Sequence, residues 1–106
     1  MKPNRPVSGR KAAVAQQSLF DAISQIDTVE EARDFLNDLC TPAELQALTD
    51  RWMVVEPLME GCSYRNIAEK TGVSVTTVGR VARFLTQGNG GYKRIFDRIN
   101  AANRTL

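Results

Sequence analysis

Histidine is absent from this sequence of 106 residues. The absence removes the side chain that most often serves as a general base and most often binds metal ions. The chain has only two cysteines, Cys40 and Cys62, and neither lies in a cluster with the spacing of metal ligands. No nucleophile–base pair or phosphate-binding loop is recognisable either. We therefore expect a protein that is not an enzyme and that holds no metal and no cofactor.

Long apolar segments are also missing. No stretch approaches the roughly 18 uninterrupted apolar residues of a membrane span. The basic residues 1–11 are not followed by the apolar run of a signal peptide. These absences predict a cytoplasmic protein without a membrane partner, in which both thiols stay reduced.

Acidic residues are scarce in the second half of the chain. Residues 1–62 contain six Lys/Arg and ten Asp/Glu, whereas residues 63–106 contain eight Lys/Arg and two Asp/Glu. An acidic half joined to a basic half suggests that a polyanion binds the basic half. The charge alone is equally compatible with an uneven surface that is merely solvated.

Apolar residues recur with a helical period along most of the chain. Residues 1–9, which contain Pro3, Pro6 and Gly9, are predicted to form a flexible arm. Residues 10–106 are predicted to form a single all-α domain of about six helices. The stripe on the first helix consists of Ala12, Ala15, Leu19, Ala22 and Ile26. Three successive stripes in residues 12–59 exceed what one small protomer can bury, so we expect a homodimer.

Capping boxes mark the starts of the second and third helices. The Thr28 hydroxyl is expected to accept from the amide of Glu31, and the Glu31 carboxylate from the amide of Thr28. Thr41 is predicted to begin the third helix in the same way. Pro57 lies inside that helix, where it removes a hydrogen bond and clashes with the carbonyl of Met53. We therefore expect a bend near Trp52 and Met53.

Residues 63–85 have the layout of a helix-turn-helix. Ser63 and Ser74 are suited to cap its two helices, and Gly72 supplies the positive φ that the sharp turn needs. Helical corners of this kind also occur in bundles that bind no DNA. The small Ala68, the inward valines of the second helix, its acid-free outward face and the basic second half together favour DNA binding.

The outward face of the second helix, residues 74–85, carries small, hydroxylic and guanidinium side chains. Thr and Val side chains can make apolar contacts with thymine methyl groups, and the Thr hydroxyl can hydrogen-bond to base edges or phosphates. Arg can donate two hydrogen bonds to one guanine. Arg65, near the start of the first helix, is placed to meet the DNA backbone. The predicted DNA-binding residues are Arg65, Ser74, Val75, Thr76, Thr77, Gly79, Arg80 and Arg83.

These features predict a transcription regulator, a repressor, that reads the major groove of specific double-stranded DNA with the helix at 74–85. Such a protein would be associated with the bacterial nucleoid. Two alternatives remain open: a helical protein-interaction module, and a module that binds nucleic acid without sequence preference.

The sequence resembles the Trp repressor superfamily, and within it the YerC/YecD-like branch. The matching stretches are residues 38–41, 60–67, 71–74, 79–81 and 88–89, together with Tyr92. No single stretch is specific, but their order and spacing together are, over residues 10–99. The resemblance implies an all-α, intertwined homodimer in which each protomer presents one helix-turn-helix to half an operator.

The resemblance also implies a ligand site, from which this sequence departs. In tryptophan-responsive members of the family two arginines bind the amino acid, and their positions match Arg51 and Arg80. A glycine follows the second arginine in those proteins, whereas Val81 stands there in this chain and Phe84 follows one turn later. Both side chains would fill the space of the indole ring, so we do not expect tryptophan to be a corepressor.

Overall fold

The computed structural model describes residues 9–104, and every regular element in this range is a helix. The all-α prediction is confirmed. The predicted arm lies outside the described residues except for Gly9, which is the first residue of a helix. The helices are α1 (Gly9–Ser24), α2 (Val29–Leu39), α3 (Pro42–Met53), α4 (Val55–Met59), α5 (Tyr64–Thr71), α6 (Val75–Gln87) and α7 (Gly91–Arg104).

The chain divides into two compact units at the boundary between Leu39 and Cys40. The N-terminal unit contains α1 and α2, and no side chain of either helix is buried.

The capping box before α2 differs in one detail from the prediction. The amide of Glu31 donates to Thr28 Oγ1 at 3.1 Å, but the Glu31 carboxylate accepts from the amide of Asp27 at 2.9 Å. Amides before a helix have no intrahelical partner, so either one satisfies the carboxylate.

In the C-terminal unit the predicted third helix is divided in two. It begins with the expected capping box at Thr41 and Glu44. It is interrupted at Val54, next to the predicted bend, so that α3 and α4 are separate helices. Pro57 explains the interruption, because it has no amide hydrogen and its ring excludes the carbonyl four residues earlier. Helix α4 ends before Gly61, which has a φ of 85°.

The core of the C-terminal unit is small and built almost entirely from valine. The break between α3 and α4 brings two consecutive residues, Val54 and Val55, into this core. Its buried members are Val54, Val55, Ile67, Val73, Val78 and Val81. Helices α5 and α6 are therefore fixed to each other and to α4 by side chains of a single chain.

Candidate nucleic-acid interface

Helix α5 begins and ends as the sequence predicts. The amide of Asn66 donates to Ser63 Oγ at 3.1 Å, which makes Ser63 the N-cap. Gly72 ends the helix with a φ of 79°, in the left-handed region that side chains with a Cβ disfavour. Its amide donates to the carbonyl of Ala68 at 2.9 Å. The predicted tight turn of the helix-turn-helix is confirmed.

Thr71 closes the turn, a role that the sequence analysis missed. Its hydroxyl donates to the carbonyl of Ile67 at 2.7 Å and accepts from the amide of Val73 at 3.1 Å. Val73 is thereby held inside the core at the corner between the helices. The signal was the hydroxyl side chain beside Gly72, because threonine readily bonds to nearby backbone groups.

Helix α6 starts at a second serine cap. The amide of Thr77 donates to Ser74 Oγ at 3.1 Å, and the Ser74 hydroxyl donates to Thr77 Oγ1 at 3.0 Å. The two predicted DNA-binding hydroxyls are therefore bonded to each other. The helix continues to Gln87, two residues beyond the predicted end.

The outward face of α6 is open to solvent. Val75 is 52% exposed, and Thr76, Arg80 and Arg83 are exposed, as is Arg65 on α5. Thr77 and Gly79 are half-buried. A shallow depression of about 410 Å³ follows this face and is lined by Thr76, Gly79, Arg80 and Arg83. The structure thus brings four of the eight predicted residues around one concavity.

The arginines on the outward face of α6 and Arg65 on α5 have no acidic partner within residues 9–104. Helix α6 contains no acidic residue, and no carboxylate among residues 9–104 forms an ion pair with Arg65, Arg80 or Arg83. Two of these guanidinium groups lie over the ring of Phe84. The distance from Cζ to the ring centroid is 4.7 Å for Arg80 and 5.4 Å for Arg83. The spacing of four residues between Arg80 and Phe84 was a signal that the sequence analysis did not use.

The basic residues at the start of α7 are engaged elsewhere. Lys93 Nζ lies 2.6 Å from a carboxylate oxygen of Asp97. The Arg94 guanidinium donates to the carbonyl of Asn89 at 2.5 Å and to that of Gly90 at 3.4 Å. Arg94 thereby fastens the glycine-rich turn between α6 and α7.

An open groove of about 570 Å³ lies behind the arginines. Trp52 and Tyr92 stack in it, with ring centroids 6.4 Å apart and planes inclined by 19°. Its lining consists of Trp52, Arg80, Phe84, Gly88, Asn89, Gly91, Tyr92 and Ile95. Of the two predicted ligand-binding arginines, Arg80 lines the groove and the half-buried Arg51 does not.

The two side chains expected to fill the ligand space are separated by the structure. Phe84 lines the groove, whereas Val81 is fully buried in the valine core.

Cys40 and Cys62 are both half-buried free thiols. No group of three or more potential metal ligands is found in the described part of the chain. None of the described helices is long and apolar enough to cross a membrane.

Comparison with known proteins agrees with this arrangement. The family model described as Trp repressor protein matches residues 15–100. The uncharacterized protein YerC of Bacillus subtilis is 41% identical over 81 residues, which are 76% of this chain and 78% of YerC.

Two crystal structures are also similar. A TrpR-like protein from Eubacterium eligens has a TM-score of 0.75 and 44% identity, covering 81% of this chain and 89% of that one. A structure from Staphylococcus aureus, named for the Trp repressor, has a TM-score of 0.77 and 40% identity, covering 82% and 87%. The family model and both structures point to a DNA-binding regulator, and the chain belongs to the Trp repressor family.

Proposed function

We propose that this protein is a sequence-specific regulator of transcription, a repressor, that reads the major groove of double-stranded DNA with α6. The observation that carries the proposal is the exposed, acid-free face of α6, where Thr76, Arg80 and Arg83 surround one depression. A helix that enters the major groove lies between two rows of phosphates, so an acidic side chain on that face would be repelled.

The proposed contacts fall into two groups. Arg65 leaves α5 one residue after its start, where it is suited to bind the DNA backbone. Thr76, with Val75 beside it, stands at the N-terminal end of α6, the part of a recognition helix that contacts base edges. Ser74 and Thr77 are already bonded to each other. They therefore act mainly by fixing the start of α6, from which backbone amides meet phosphate.

We further propose that the active species is a homodimer. Large apolar side chains are exposed on several helices of the single chain, including Phe20 on α1 at 56%, Trp52 on α3 at 41% and Ile99 on α7 at 46%. Exposed apolar surface of this extent is typical of an interaction site. A second copy with the same surface would cover it and would place two α6 helices on two half-sites of one operator.

Tryptophan is not part of the proposed mechanism, because the Phe84 ring lies in the groove next to Arg80. The proposed place of action is the cytoplasm, on the bacterial nucleoid. We propose no catalytic activity.

Selection of duplexes from a random library tests the proposal. We expect an enriched site with two half-sites, bound at least about 10³-fold more tightly than random duplex at physiological salt. Arg80→Ala should abolish most of that preference. Lys93→Ala is the matched control, because it removes the same charge at a position already neutralised by Asp97.

Two results would contradict the proposal in different ways. Binding of equal strength to all duplexes would indicate the module without sequence preference. Failure to bind any duplex at low salt would indicate the protein-interaction module instead.

A further inference from the structure

We propose that Phe84 is a positioning residue that sets the direction in which Arg80 and Arg83 approach DNA. This inference rests on the proposed function. Both guanidinium groups lie against the same ring, at 4.7 Å and 5.4 Å from its centroid. Arg80 lines both the outer depression and the groove that contains the ring. The ring therefore stands directly behind the proposed DNA-facing surface.

The chemistry of the ring suits this task better than a carboxylate would. An unsupported arginine side chain samples many rotamers, and ordering it on DNA costs free energy. A carboxylate would order the side chain but would also neutralise its charge and occupy its N–H donors. An aromatic face attracts the guanidinium through the ring quadrupole. It leaves the charge and the edge donors available to guanine or phosphate.

The end of α6 leaves room for the Phe84 ring. The carbonyl of Phe84 accepts from the amide of Gly88 at 3.1 Å. A Cβ at position 88 would come within 2.4 Å of the Phe84 carbonyl oxygen and 3.3 Å of the ring atom Cδ1. Glycine at this position therefore allows the chain to turn tightly against the ring.

The obvious alternative is that Phe84 only fills apolar volume. In that case leucine would replace it well, because leucine fills much of the same space without a π face. Tyrosine keeps the aromatic face, and Phe84 lines an open groove and is 37% exposed as a residue. The pair Phe84→Leu and Phe84→Tyr therefore separates orientation of the arginines from simple packing.

The first measurement is made on the full chain without DNA. The side-chain Nε–Hε resonances of Arg80 and Arg83 should show ring-current shifts in the parent protein. These shifts should disappear in Phe84→Leu and persist in Phe84→Tyr. Identical arginine resonances in all three proteins would overturn the inference, whether or not the protein binds DNA.

The second measurement uses the operator duplex obtained by selection. We expect Phe84→Leu to weaken specific binding roughly two- to fivefold for each arginine released, while binding to random duplex changes less than about twofold. Phe84→Tyr should bind within about twofold of the parent. Equal binding by the leucine variant, or equal weakening by the tyrosine variant, would overturn the inference.

A third variant distinguishes the loss of arginine orientation from a defect in packing. In the background Arg83→Ala, which keeps Arg80, Phe84→Leu should weaken specific binding by only the roughly two- to fivefold due to Arg80, since one guanidinium instead of two remains to be oriented. A loss in that background as large as the loss in the parent would show that Phe84 acts through packing. If the parent binds no specific site but the arginine resonances respond as expected, the proposed function fails and the orientation of the arginines stands.

Discussion

Helices α6 and α1 both carry apolar residues at helical spacing, but only α6 buries some of them within the chain. Val78 and Val81 of α6 are completely covered, whereas no residue of α1 is buried and Phe20 is 56% exposed. Helices α5 and α6 therefore pack on a core formed within one chain, to which α4 also contributes. Within residues 9–104, nothing buries the stripe on α1. Periodicity predicts which face of a helix is apolar, but not which molecule covers it.

The most damaging change should lie in the valine core. We expect Val78→Asp to unfold the C-terminal unit, because an unpaired carboxylate in an apolar core costs several kcal/mol against a total stability of about 5–15 kcal/mol. Circular dichroism and thermal denaturation measure the effect. Val75→Asp is the matched control on the same helix, since Val75 is half exposed and lies at the helix N-terminus, where an acid is tolerated. A folded Val78→Asp protein would contradict the assignment of the core.

The corresponding change on α1 should leave the fold and break the assembly. We expect Phe20→Asp to raise the dimer dissociation constant about 30-fold or more, as for a central interface aromatic worth about 2 kcal/mol. Sedimentation across a concentration series measures it. Ser18→Asp introduces the same charge at an exposed polar position on the opposite side of α1 from Phe20 and serves as the control. If the parent is monomeric at micromolar concentration, with unfolding independent of concentration, the dimer itself is refuted.

The sequence allowed the local parts of the fold to be predicted because each depends on residues a few positions apart. The caps at Thr41, Ser63 and Ser74 and the left-handed turn at Gly72 are all of this kind. The sequence predicts a bend before Pro57, whereas in the structure the helix is interrupted completely. The complete break at Val54 also depends on Val54 and Val55 both finding places in the core.

The parts of the site that could not be predicted depend on where side chains point. The family resemblance placed Phe84 in the ligand space together with Val81, yet the two side chains face different surroundings. Spacing indicates the contact of Phe84 with Arg80, four residues away, but not the second contact with the adjacent Arg83. Adjacent positions on a helix differ by about 100° in direction. A small error in the assumed axis therefore exchanges core for surface.

Helices α5 and α6 share one core, but their exposed residues should contribute differently to DNA binding. We expect Arg65→Ala to weaken binding to all duplexes alike and to lower the salt slope by about one phosphate contact. Thr76→Ala should instead change the preferred base pair at one position, by roughly 1–3 kcal/mol. A salt series on specific and random duplexes, with Lys93→Ala as control, compares them. Equal profiles for the two variants would mean that α6 does not read bases.

The smallest effect is expected from added tryptophan. The expectation depends on the contrast within α6 between Val81, which is buried, and Phe84, which lines the groove. In calorimetric titration we expect no saturable binding of tryptophan up to about 1 mM. The reason is that the Phe84 ring and the Arg80 guanidinium lie against each other in the groove, and that Arg51 does not line it. Saturable micromolar binding that is lost in Arg51→Ala would contradict this expectation.

The structure also indicates which variant should open the groove. Val81 belongs to the buried core, so Val81→Gly would leave a cavity there and destabilise the fold without enlarging the groove. Phe84→Ala removes a ring that lines the groove directly. If either variant gains affinity for tryptophan it should therefore be Phe84→Ala, and a gain seen only in Val81→Gly would show that Val81 borders the ligand space after all.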